Sequence, residues 1–180
     1  RERLFMKSFS AASIARIALM TAVTAVLSQC AIPLPGLVPI TLQTFAVALT
    51  GAFLGWKQGA ISILVYLLLG CVGVPVFSGF SAGVGALAGP TGGFLVGFPI
   101  MAGICGLGQG RSALAGCAFG LLGLALLDML GALWLAKAGG MDLPAALMSG
   151  VAPFLIKDVA SVILAVLLAR LVRRRMPGMN

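Results

Sequence analysis

The sequence predicts an all-α integral membrane protein: one transmembrane domain over residues 1–180, of about six helices, each needing about 20 apolar residues to span a bilayer. Three observations predict it. Hydrophobic residues make up 61% of the chain and charged residues 9%, against roughly 25% charged in a soluble domain, so too little charge remains to cover a water-facing surface. The apolar residues fall in long runs separated by Gly, Pro and cations. The net charge of +8 is gathered at the ends of those runs, as cytoplasmic loops of membrane proteins require, and not as a basic face for nucleic acid.

The first apolar run predicts a helix over 10–31, ended by Pro33 and Pro35. Pro39, a favourable first-turn residue, opens a second helix over 39–55. Trp56 to Gly59 reads as a turn with one cation, and a third helix over 60–74 stops at Pro75. The stretch from Val76 to Gly93 is uncharged and rich in glycine. A fourth helix covers 91–106 and ends in a turn that closes on Arg111. A fifth covers 112–136, followed by a turn with Lys137, Asp142 and Pro144. A sixth covers 146–171 and runs into Arg173, Arg174 and Arg175. With the N-terminus inside, Arg1, Arg3, Lys7, Arg16, Lys57, Arg111, Arg170 and the terminal arginines share one side, leaving Lys137 and Asp142 on the other. That asymmetry predicts both termini in the cytoplasm and the glycine-rich stretch outside.

The residue types then limit the chemistry. The chain lacks histidine, and Cys30, Cys71, Cys105 and Cys117 form no C-x-x-C pair, so neither the usual Cys/His metal site nor a histidine-based catalytic triad is expected. No G-x-x-x-x-G-K-[ST] loop is present, so ATP enters only through another protein. G-V-G-A-L-A-G has no preceding strand and is not a dinucleotide fingerprint. The expectation is a protein that is no enzyme and carries no cofactor.

Asp128, Lys157 and Asp158 fall within predicted helices, where a charge costs roughly 2.5–3.5 kcal/mol on insertion scales and is kept when it faces a cavity or a partner. One reading is a polar ligand pocket open to the exterior; the other is a helix–helix salt bridge of Lys157 with Asp128. The glycines of the uncharged loop, among them Gly83, Gly85 and Gly92, permit close backbone approach to a ligand and a lid over it; a packing role is the competing reading. Ala11, Ala15, Ala18, Ala22 and Ala25 share one side of the first helix and suit close helix packing in lipid, within this protein or against another.

The block VPITLQTFAVALTGAFLGWKQGAISILVYLLLGCVGVPVF, followed by GALAGPTGGFLVGF and PFLIKDVASVILA, resembles the BioY family over nearly the whole chain. Its members are biotin-specific substrate-binding subunits (S components) of energy-coupling-factor transporters. The resemblance implies the S-component fold, a biotin pocket near the exterior, a membrane coupling subunit with two cytoplasmic ATPases as partners, and a prokaryotic plasma membrane. Ala18 and Ala22 match the family's A-x-x-x-A contact with the coupling subunit. Asp158 matches the aspartate of the last helix, but Ser161 stands where the family usually has lysine. Lys157, one turn away on the same face, offers a replacement ammonium.

Biotin has a ureido ring with two N–H donors and one carbonyl, and a carboxylate tail. Asp158 can accept from the ring and Lys157 can neutralise the tail, or the pair can order the tail jointly. Gln43 can add a hydrogen bond, with Ser81 in the loop. Tyr66, Phe77 and Phe80 can cover the apolar body, though core packing competes for each. The alternatives are an S component for another vitamin, or a stand-alone proton-coupled carrier relaying through Asp128 or Asp158.

Overall fold

A computed structural model describes residues 10–32 and 38–176. It contains eight α-helices: α1 (Ala11–Ser28), α2 (Gln43–Leu54), α3 (Trp56–Cys71), α4 (Val84–Ala88), α5 (Gly92–Leu107), α6 (Ala113–Gly139), α7 (Leu143–Gly150) and α8 (Leu155–Arg175). A minimal antiparallel hairpin, β1 (Ala31–Ile32) with β2 (Ile40–Thr41), pairs Ala31 with Thr41 and Ile32 with Ile40. The proposed stop at Pro33 and Pro35 lies outside the described residues.

The six long helices fall where apolar runs predict them, with three departures. The expected turn at Trp56 to Gly59 is the first turn of α3. The chain reverses at Gly55 alone, at φ +84°, a left-handed backbone that glycine tolerates and other residues resist. The glycine-rich stretch is not one irregular loop; it holds a 3-10 turn over Ser78–Phe80 and the short α4. The predicted last helix is broken: α7 and α8 meet at a bend of 59°. Pro153 sits in the four-residue turn between them, where a missing N–H and the restriction on the preceding residue stop a helix.

The surface is apolar, unlike that of a water-soluble domain, and the apolar interior holds several hydroxyls. Thr24, Ser28, Thr50 and Ser62 are fully buried, while Leu19, Leu68, Leu114, Leu122 and Leu164 are exposed. The inner polar groups hydrogen-bond across helices: Thr21 to Ser62 at 3.0 Å, Thr24 to Thr50 at 3.2 Å, and Ser62 to the Ile17 carbonyl at 3.1 Å. Such bonds join helices where no hydrophobic drive acts between them.

Among the described residues α1 and α6 are long and apolar enough to cross a membrane, and the bent pair α7 and α8 makes a third such span. The helices α2, α3 and α5 are apolar but shorter. The 12 residues of α2 extend only about 18 Å at 1.5 Å per residue, against roughly 30 Å of hydrocarbon.

Candidate functional site

Three helices start at one place. The first turns of α2, α5 and α8 meet the segment Phe77–Ser81 and the middle of α6 around a cavity of about 270 Å³, close to the lower end of the roughly 300–1,000 Å³ usual for small-molecule sites. Phe77, Phe94, Leu95, Phe98, Leu127 and Phe154 supply its apolar wall. Thr41, Gln43, Thr44, Ser78, Ser81, Thr91, Asp128, Lys157 and Asp158 supply its polar wall. Helix N-termini leave backbone N–H groups without intrahelical partners and carry partial positive charge, so their convergence makes the cavity receptive to an anion.

Lys157 and Asp158 open α8. Lys157 Nζ donates to the Thr41 carbonyl at 2.8 Å, which ties α8 to the hairpin, and lies 2.6 Å from Asp158 Oδ1. The approach between these sequence neighbours is off the hydrogen-bonding axis, so Oδ1 is buried with an ion partner but no hydrogen-bond donor. Ser78 Oγ is likewise buried without a partner. Both residues line the same cavity. An unmade bond at a buried polar atom costs about 1–3 kcal/mol, a cost that falls in full on Ser78 Oγ and only in part on Asp158 Oδ1, which keeps its ion partner. No Lys157–Asp128 salt bridge forms; Asp128 reaches the cavity from α6.

Gln43, Phe77, Ser81 and Asp128 line the cavity with Lys157 and Asp158, and six other expected residues do not. Tyr66 is fully buried one layer behind. Its hydroxyl accepts from Gln43 Nε2 at 2.6 Å and faces Ser28 Oγ and the Val76 carbonyl, each at 3.1 Å. It orients Gln43 and supports Phe77, whose ring meets its own edge-on at 5.6 Å. Phe80 is 70% exposed and turned outward, at φ +57°. Gly83, at φ +91°, caps α4 and donates to the Gly70 carbonyl at 2.7 Å. Gly85 lies within α4. Gly92 is packed against the Leu87 carbonyl and Trp134. These glycines therefore shape the backbone over the cavity and do not line it. Ser161 is buried one turn further along α8.

Ser78, Thr41, Thr44, Thr91, Phe94, Phe98 and Phe154 line the cavity without having been singled out in the sequence. Gln29 carries no local signal either. Its Nε2 donates to the Val76 carbonyl at 3.0 Å and its Oε1 accepts from Phe80 N–H at 2.9 Å, so the end of α1 clamps the segment over the cavity. On α1, Ala11, Ala15, Ala18 and Ala22 are exposed, and the buried face is Ser13, Ile17, Met20, Thr21, Thr24 and Ser28. The small-residue stripe thus faces away from this protein's own bundle, except for the half-buried Ala25.

Comparison with known proteins places this arrangement. The model of the BioY family matches residues 5–178. A protein of Pyrococcus horikoshii named as a probable biotin transporter BioY is 41% identical over 159 residues, covering 88% of this chain and 94% of its own. The biotin transporter BioY2 of Lactococcus lactis is 39% identical over 155 residues, covering 84% and 85%. A crystal structure of the S-component for biotin from an ECF-type ABC transporter superposes with a TM-score of 0.84 at 28% identity, over 91% of this chain and 92% of that one. Helical architecture, sequence and cavity-bearing fold agree: the chain belongs to the BioY family.

Proposed function

We propose that this chain captures biotin in the cavity at the heads of α2, α5 and α8, as the substrate-binding S component of an energy-coupling-factor uptake transporter. The single observation that carries the reading is the Lys157–Asp158 ion pair standing beside the unpartnered Ser78 Oγ on the wall of one cavity. A carboxylate oxygen accepts only, so it calls for an N–H such as the ureido ring provides. The Lys157 ammonium has three donors; one is on Thr41 and one is turned toward Asp158, which leaves the third for a ligand oxygen. Phe77, Phe94, Phe98 and Phe154 enclose an apolar body of ligand.

The mechanism is capture without chemistry. Biotin enters from the exterior, the segment held by Gln29 closes over it, and the loaded subunit engages its energising partners. Those partners are a membrane coupling subunit and two cytoplasmic ATPases, with Ala18 and Ala22 on the exposed face of α1 as the docking stripe. The chain sits in a prokaryotic plasma membrane and crosses it about six times, with both termini cytoplasmic. The short helices complete their spans with the segments that flank them, and the cations gathered at the α8 end are the inner ones.

The test is equilibrium binding of biotin, riboflavin and thiamine to the purified chain, followed by uptake into vesicles with and without the coupling module. Biotin alone is retained, one per chain, and accumulation requires the module and ATP. Retention of another vitamin in place of biotin, or uptake driven by a proton gradient and lost in Asp128→Asn, overturns the reading.

A further inference from the structure

The same three helices that begin at the ligand cavity end at a second one. The last turns of α2, α5 and α8, with the first turn of α6, enclose a recess of about 360 Å³ lined by Arg111, Arg170, Arg173 and Arg174. Three of the four guanidinium groups are held in place, and that of Arg174 is exposed. Arg111 Nε donates to the Leu107 carbonyl at 3.0 Å, and its plane lies 5.2 Å from the centre of the Phe119 ring. Arg170 donates to the Arg111 carbonyl. Arg173 donates to the Phe53 carbonyl at 3.0 Å. Each of these bonds uses one of five N–H groups, so most of the donors stay available. Among the described residues the one salt bridge is that of Lys157 with Asp158, at the opposite end, so no described carboxylate neutralises the recess.

Positive-inside placement explains cations at this end but not four of them converging on one recess. Helix C-termini attract cations, yet each offers only about half a charge against a full charge on each arginine. The first turn of α6 adds a positive helix end to the same recess. The sum is a preformed site for an anion with several acceptor oxygens, the geometry that arginine forks match bidentately. Leu107, Leu114 and Leu171, beside it on α5, α6 and α8, are exposed, which sets apolar surface for acyl chains next to the charged recess.

We propose that this recess binds a phosphate-type oxyanion, supplied by the headgroup of an anionic membrane lipid. Basic recesses between membrane helices on the cytoplasmic side suit such headgroups. The site is separate from the biotin cavity and rests only on the membrane placement and orientation proposed above.

Native mass spectrometry of the full chain in detergent tests it, titrating phosphatidylglycerol against phosphatidylcholine of the same acyl chains, with inorganic phosphate as a third arm. Biotin binding and thermal unfolding of each sample report folding separately. Phosphatidylglycerol is retained about ten-fold over phosphatidylcholine, and Arg111→Gln and Arg174→Gln each weaken it about five-fold. Arg175→Gln, outside the recess, leaves it unchanged. Equal protection by free phosphate supports the oxyanion site and assigns it to a soluble anion. Equal retention of both lipids with no effect of phosphate, or equal losses in Arg174→Gln and Arg175→Gln, overturns it. So does loss of coupling-subunit association in Arg174→Gln without any lipid or phosphate preference, which gives the recess to an acidic protein segment. A chain that selects anionic lipid but binds no biotin leaves this site standing and removes the biotin reading.

Discussion

Asp158→Asn separates a ligand group from a structural ion pair. The substitution keeps the side chain's size and replaces an ionised acceptor with an amide. In the empty protein Oδ1 accepts no hydrogen bond, and the loss is its 2.6 Å ion pair with Lys157. Lys157 keeps its bond to the Thr41 carbonyl, and its side chain is 30% exposed toward the cavity. The 3–5 kcal/mol cost of stranding a fully buried charge therefore does not apply, and unfolding of the empty variant shifts by less than about 1 kcal/mol. In the complex, a bond to a charged group, worth about 1.5–3 kcal/mol, becomes one between neutral groups, worth about 0.5–1.5 kcal/mol, because the amide oxygen still accepts. The loss is about 1–1.5 kcal/mol, and at 1.4 kcal/mol per decade Kd rises roughly 5- to 12-fold. The assay is calorimetric titration of biotin into wild type and variant, with thermal unfolding at fixed biotin. The ligand's stabilisation falls by the same amount, about 1–1.5 kcal/mol, since it follows the logarithm of concentration over Kd. An empty variant that melts well below wild type while Kd stays put refutes the reasoning and makes the pair structural.

Lys157→Ala removes the remaining ammonium donor and raises Kd roughly 10- to 150-fold by the same arithmetic; an unaltered Kd ends the idea that it replaces the family's lysine. Ser78→Ala deletes a neutral partner worth about 0.5–1.5 kcal/mol, so a roughly two- to ten-fold rise is expected in the same titration. In Gly70→Ala the new Cβ would sit 2.1 Å from Phe77 Cζ. Phe77 must move from the cavity wall, at an overpacking cost of about 1–3 kcal/mol, visible as lower melting together with weaker biotin binding. Ala22→Leu alters an exposed position on α1; biotin affinity and melting stay at wild-type values while co-purification with the coupling subunit and uptake are lost.

What was legible in the sequence follows from which forces act locally. Apolar runs and the placement of cations depend on the solvent, so the long helices and the two ends of the bundle could be read directly. Lys157 and Asp158 stood out because charge at membrane depth needs a reason. The break before α8 was also written there, in Pro153, but the apolar run across it concealed the punctuation. The β1–β2 pair has strands of two residues, too short for any periodicity. Ser78 carries no pattern of its own; its place on the cavity depends on the turn that Phe77, seated against Gly70, imposes. Tyr66 and Phe80 show the converse. Aromatic character is local, but whether the ring supports a wall, as Tyr66 does through Gln43, or leaves it, as Phe80 does, is decided by contacts between distant segments. Composition leaves the glycines of the 76–93 stretch open between approach to a ligand and packing; φ at Gly83 and the contacts of Gly92 fix the backbone path there.

The most direct measurement is a crystal structure of the chain with biotin bound. The account predicts the vitamin between the first turns of α2, α5 and α8, with polar ligand atoms roughly 2.7–3.2 Å from Asp158 Oδ1 and from Ser78 Oγ. Biotin lodged elsewhere, touching neither atom, contradicts it.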